Sequence, residues 1–130
     1  MDPDILFFFD KHPGALPLYQ TWESRVLAEV EHVTIKVQKT QITFANRRQF
    51  ACVSFLPARR AKDRPEDYIT VTLGLNRRLD SPRVDKVSEP YPGRWTHHAA
   101  LTREADLDGE LLGWLEEARG FCRAKGRGKA

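Results

Sequence analysis

The same tripeptide occurs twice in this chain, as Asn46-Arg47-Arg48 and Asn76-Arg77-Arg78, and each copy closes a run that reads as a β-strand. Arginine presents planar, forked donors matched to carboxylate and phosphate, so arginines gathered at one end of a sheet form an anion site. In a simple up-and-down sheet both tripeptides fall at one end, with Arg83 close behind. Turns separated by one hairpin then lie roughly 10 Å apart. The expected site is Arg47, Arg48, Arg77, Arg78 and Arg83, holding an anionic small molecule or an acidic protein segment by charge-assisted hydrogen bonds. The competing structural reading is that Asn favours turns and that loop arginines are solvated.

A second cluster is Glu89-Pro90-Tyr91-Pro92-Gly93-Arg94-Trp95-Thr96-His97-His98. It joins a stiff turn to an aromatic pair, a guanidinium and two imidazoles, a mixture common in ligand pockets. Arg94 and Trp95 are therefore added to the candidate ligand-binding residues. Adjacent histidines on a strand point to opposite faces and do not ligate one metal together, so no metal site is read and no cofactor is implied. His97 or His98 as acid/base, with Arg94 holding an anionic substrate, is the enzymatic alternative. No serine or cysteine nucleophile is identifiable beside either histidine, which leans the reading away from catalysis.

A third reading is a weak nucleic-acid binder. Lys39, Lys62, Arg64 and the tail would supply charge, with Phe44, Tyr68 or Trp95 as stacking platforms. The basic residues are interrupted by acids, and no recognition-helix, zinc-finger or RNP-type signature accompanies them. The net charge of +3 is modest and partly carried by the last residues. A solvated face is the simpler account.

These residues are positioned by elements of two periods. Apolar residues at Leu16, Tyr19, Trp22, Val26, Leu27 and Val30 predict a helix from about Pro13 to Val30, its start set by where Pro13 and Pro17 fit the first turn. From Val33 the period becomes two: Val33, Ile35 and Val37, then Ile42 and Phe44, then the denser run Phe50 to Leu56, then Ile69, Val71, Leu73 and Leu75. Short strands are expected over Val84 to Val87 and Trp95 to Leu101. A last helix runs from about Leu107 to Cys122, with Asp106 as its cap.

The order is α+β: a single domain over residues 1–122, built on an antiparallel meander of five to six strands with both terminal helices on one face. Residues 123–130 read as a basic, disordered tail, and the Pro57 to Asp67 stretch as an exposed, mobile loop. Alternating strand directions put Lys39, that loop and the Pro90 to Arg94 turn at the end opposite the Asn-Arg-Arg turns.

At 130 residues the chain can bury a core without disulfides. Cys52 lies within an apolar strand and Cys122 near the end of the last helix; neither belongs to a C-x-x-C pair, and both read as small hydrophobes. No apolar run approaches the roughly 18 residues of a membrane span, and Ile5 to Phe9 lacks the flanks of a secretory signal. A cytoplasmic location is expected. An exposed strand edge leaves the oligomeric state open.

The strings Lys39 to Phe44, Leu75 to Arg83, Tyr91 to His98 and Leu107 to Leu115 resemble, as a set, the bacterial domain of unknown function 5655. The likeness covers nearly the whole chain outside the basic tail. It implies a small α+β domain and supplies no reaction; what it adds is emphasis on Arg78, Ser81 and Arg83 and on Arg94, Trp95 and His97.

Overall fold

The computed structural model describes residues 2–56 and 67–127, the stretch 122–127 as backbone. A short helix α1 (Pro3–Phe8) starts at Asp2, whose carboxylate accepts from the Asp4 amide at 2.8 Å, with Pro3 in the first turn where a missing N–H costs nothing. After a 3-10 turn (Pro13–Ala15), helix α2 (Leu16–Glu29) buries Leu18, Tyr19, Trp22 and Val26, one stripe at helical spacing. Val30 takes an extended conformation and ends it.

Among the described residues six strands follow: β1 (Thr34–Val37), β2 (Gln41–Asn46), β3 (Arg48–Ser54), β4 (Ile69–Leu75), β5 (Lys86–Tyr91) and β6 (Arg94–Leu101). All pairings are antiparallel, in the order β1-β2-β3-β4-β6-β5. Helix α3 (Gly109–Arg127) completes the domain. This is the α+β arrangement the periodicity predicts, with helices at both ends of the chain and an antiparallel sheet between them.

Because side chains alternate across a strand, the register divides the sheet into two faces. Ile42, Phe44, Ala51, Val53, Ile69, Val71, Leu73, Leu75 and Leu101 are buried on the first face, where α2 and α3 pack. Rings from α2 meet this face directly: Trp22 lies edge-on to Phe44 with centroids 5.7 Å apart, and Tyr19 is 6.4 Å from the same ring. Thr43, Cys52, Thr72, Gly74, Thr96 and His98 occupy the second face.

The meander breaks once. β6, with His97, Ala99, Ala100 and Leu101 buried, takes the interior place beside β4, while the polar β5 goes to the edge. Pro90 explains the choice, since a residue without an amide proton is tolerated at an edge and not inside a ladder. This corrects two expected placements. The Pro92-Gly93 turn joins β5 to β6 at the same end as the Asn-Arg-Arg turns, with Leu75 opposite Trp95. Residues 76–85 must then carry the chain back along the sheet, so Arg83 arrives at the opposite end, beside Leu101 and the start of α3.

The start of α3 also differs from expectation. Asp106 accepts from the amide and hydroxyl of Thr102, closing a 3-10 turn (Glu104–Asp106), and Asp108 is the residue that caps the helix, accepting from the Leu111 amide at 3.1 Å. The strand expected from Val84 begins instead at Lys86, as β5. At its far end α3 continues to Arg127, into the segment read as a tail. The expected loop of residues 57–66, with Lys62 and Arg64, lies outside the described residues, as do residues 128–130.

Candidate functional site

On the second face of the sheet the register lines up one residue from each of five strands. Thr43 stands opposite Cys52, Cys52 opposite Thr72, Thr72 opposite His98, and His98 opposite Lys86. Neighbours in such a row are about 4.8 Å apart, so short side chains reach one another. Thr72 Oγ1 lies 2.9 Å from His98 Nδ1, and Cys52 is its cross-strand neighbour on the other side. Thr43 is engaged on the other side, its hydroxyl donating to Gln38 at 2.6 Å and accepting from Gln41 at 3.0 Å.

Cys52, Thr72 and His98 lie on the floor of a cavity of about 760 Å³. One wall is aromatic: Phe7 and Phe8 from α1, with Phe55 stacked on His12 at 3.9 Å and on Phe8 at 5.3 Å. The lining also includes Lys39, Thr40 and Gln41 from the β1–β2 turn. The charged residues around it balance, Asp4 and Asp10 against Lys11 and Lys39. An apolar wall with a few convergent polar groups suits a small organic molecule with one polar end.

Protonation follows from burial. Desolvation by burial pushes the Cys52 thiol above its ordinary value, the neighbouring Thr72 hydroxyl acting the other way. Desolvation, then the nearby Lys86 charge, lowers His98. At neutral pH the floor is therefore a thiol, a hydroxyl and an uncharged imidazole.

His97 points to the other face. It is buried at 2% exposure, and its Nε2 accepts from the Leu79 amide at 2.9 Å. Burial lowers its pKa, the carbonyls of Leu73 and Trp95 acting the other way. Packed beneath the helices, it anchors the 76–85 connection, and of the two candidate acid/base residues His98 is the one that lines this cavity.

These two histidines give a testable pH dependence. Each has a folded-state pKa below its ordinary 6.5, so between the two values the unfolded chain binds more protons than the folded one. Their stabilising contribution is complete above 6.5 and lost as pH falls below it. Unfolding free energy should drop as pH falls below 6.5, by up to about 1.4 kcal/mol per pH unit per histidine. Urea titrations of wild type and His97→Gln check this, the variant showing the shallower slope. The carboxylates whose pKa is lowered, Asp106, Asp108 and Glu117, stabilise the fold throughout this range and lose that contribution only as pH falls below their ordinary values.

The arginines are divided by the fold. Arg77 forms a bidentate pair with Glu117 of α3, both contacts at 2.8 Å. Arg83 Nη1 reaches Asp108 at 2.7 Å and Glu110 at 3.0 Å, its Nη2 donates to the Asp106 carbonyl at 2.5 Å, and its guanidinium sits 5.7 Å from the Trp114 ring centroid. Arg47, at φ 66°, lines a cleft of about 610 Å³ with Glu29, Glu31, Glu116 and Arg119. Arg48 and Arg78 are exposed at the same end. Arg94 lies across Gly74, where an added Cβ would come within 2.6 Å of the guanidinium; Trp95 takes the first face opposite Leu75. The two Asn-Arg-Arg turns do share an end, but Arg83 does not join them, and Arg77 turns to α3.

Sequence reasoning did not single out Cys52 and Thr72. The available signal was parity: Cys52 alternates with Ala51 and Val53, Thr72 with Val71 and Leu73, and His98 with His97 and Ala99, which puts all three on one face. The dense apolar run from Phe50 to Leu56, broken by Ser54, concealed it.

A family model described as Domain of unknown function (DUF5655) matches residues 7–121, most of the chain. The chain belongs to the DUF5655 family. The match spans every strand, α2 and the part of α3 through Phe121, so the sheet and its second face are features of a DUF5655 domain. No curated protein and no solved structure matches the chain. Among the described residues, no helix is long and apolar enough to cross a membrane, and no group of three or more His, Cys, Asp or Glu could hold a metal ion.

Proposed function

We propose that this DUF5655 domain is a non-catalytic module that binds a small organic molecule in the cavity on the second face of its sheet. The observation that carries this reading is the cavity of about 760 Å³ with Phe7, Phe8 and Phe55 on one wall and the Thr72–His98 pair on its floor. The balanced charges at the rim favour a ligand with an apolar, flat body and one polar end over a polyanion. An unpaired Cys52 thiol fits a reducing compartment, and we take the bacterial cytoplasm as the setting.

Anion binding at the Asn-Arg-Arg end is the second reading, now resting on Arg47, Arg48 and Arg78, because Arg77 and Arg83 are occupied by carboxylates. A thermal-shift screen of uncharged aromatic amphiphiles, nucleotides and polycarboxylates separates the two. A ligand at a hundred times its Kd should stabilise by about 2.7 kcal/mol, several degrees in Tm. For the cavity reading, an aromatic amphiphile gives that shift, and Phe7→Ala, at a residue 82% exposed, weakens it about tenfold without unfolding the domain. A shift given only by anions and abolished by Arg47→Ala with Arg78→Ala would sink the cavity reading and establish the other.

A further inference from the structure

We infer that Cys52, Thr72 and His98 form a proton relay through which the cavity captures a soft carbon electrophile covalently, an α,β-unsaturated carbonyl compound with an aromatic substituent. This rests on the reading of the cavity as a ligand site. It deepens that reading by naming the reactive atom and the class of ligand.

The geometry provides a contiguous row of three residues on one face. Cys52 and Thr72 are cross-strand partners, as are Thr72 and His98, and the Thr72 hydroxyl is within 2.9 Å of His98 Nδ1. All three side chains open on the cavity, whose aromatic wall offers stacking surface for an aryl group. A hydroxyl has one proton to give and lone pairs to accept another, so Thr72 can pass a proton without becoming charged.

The step balances as an addition. The Cys52 sulfur forms a bond to the β-carbon of the ligand while the π electrons move onto the carbonyl oxygen as an enolate. The thiol proton passes to Thr72 Oγ1 as the Thr72 proton passes to His98 Nδ1, leaving an imidazolium. That imidazolium returns its Nε2 proton to the enolate carbon. The product is a thioether and a neutral histidine in its other tautomer, with no further reactant required. At rest the thiol and imidazole are both uncharged, so the sulfur is nucleophilic only while the relay is in use.

The test uses the full chain in a Cys122→Ser background with N-phenylmaleimide as probe, the Cys52 adduct being followed by mass spectrometry. Thr72→Val, which preserves shape and removes the hydroxyl, and His98→Gln should each slow labelling at least tenfold while circular dichroism and Tm show a folded domain. Equal rates in all three proteins, or no adduct before denaturant is added, overturns the relay. N-phenylsuccinimide, the saturated and unreactive analogue, is titrated in parallel into Cys52→Ser and followed by NMR. Its binding with relay-independent labelling leaves the cavity reading intact and removes the relay. Relay-dependent labelling with no binding of the analogue upholds the relay and removes the cavity as a recognition site.

Discussion

Arg83→Ala should lower the unfolding free energy by about 2–3 kcal/mol, a large fraction of what holds a domain of this size together. The side chain is 26% exposed and fastens the returning 76–85 connection to the start of α3. Its strongest single contact is the charge-assisted hydrogen bond to the Asp106 carbonyl, of a kind that contributes about 1.5–3 kcal/mol. Stacking near Trp114 adds about 0.5–1 kcal/mol. The carboxylates of Asp108 and Glu110 are half exposed and return to water when the guanidinium is removed, so they add little to the loss. Urea denaturation at low and high salt checks the ranking. Most of the loss should persist in 0.5 M salt, because carbonyl and ring contacts are not screened as surface charges are. Arg83→Lys should recover only part of it, since an ammonium cannot serve carboxylate and carbonyl in one fork.

Arg77→Ala should behave in the opposite way. Its pair with Glu117 has good bidentate geometry, but the arginine is 56% exposed, so the change in stability should be small and should vanish as salt is raised. Two arginines grouped by the sequence as parts of one anion site thus have separate structural duties at opposite ends of the sheet. The difference was not legible because it depends on the partner of β4. Period-two patterning identifies strands and which residues share a face, but it is blind to strand order. Placing β5 beside β4 would keep Arg83 near the Asn-Arg-Arg turns; placing β6 there sends it to α3.

One local clue did bear on that choice. Pro90 and the polar residues of Lys86–Tyr91 mark an edge strand, and Pro92-Gly93 forms a two-residue connection with Gly93 at φ 85°, as a type II turn requires of its third residue. Read together, they make β5 and β6 a hairpin with β6 inward. The same limit applied to the functional site. The helical stripe of α2 and the alternation of β2 and β4 were legible residue by residue, because each is set within one element. The Cys52–Thr72–His98 row spans three strands, and no property of any one strand specifies the register that brings it together.

The residue whose loss should cost most is Phe44. It is completely buried on β2, edge-on to Trp22 and within 6.4 Å of Tyr19, so it is where α2 meets the sheet. Phe44→Ala removes the ring from a buried site between Trp22 and Tyr19, leaving a cavity, and should cost about 3–5 kcal/mol. Phe44→Leu keeps much of the volume and should cost about 1.5 kcal/mol. In urea both variants should lower the midpoint without changing the slope, which reports lost packing and an unaltered unfolded state. The contrast with Phe7→Ala then separates the two roles of aromatic residues in this chain. Phe7 is 82% exposed and belongs to the cavity wall, so its removal should leave the urea midpoint almost unchanged while weakening whatever the cavity holds. If Phe44→Ala cost less than about 1 kcal/mol, α2 would not be the layer that seals the first face, and the second face could no longer be argued to be the one left for a ligand.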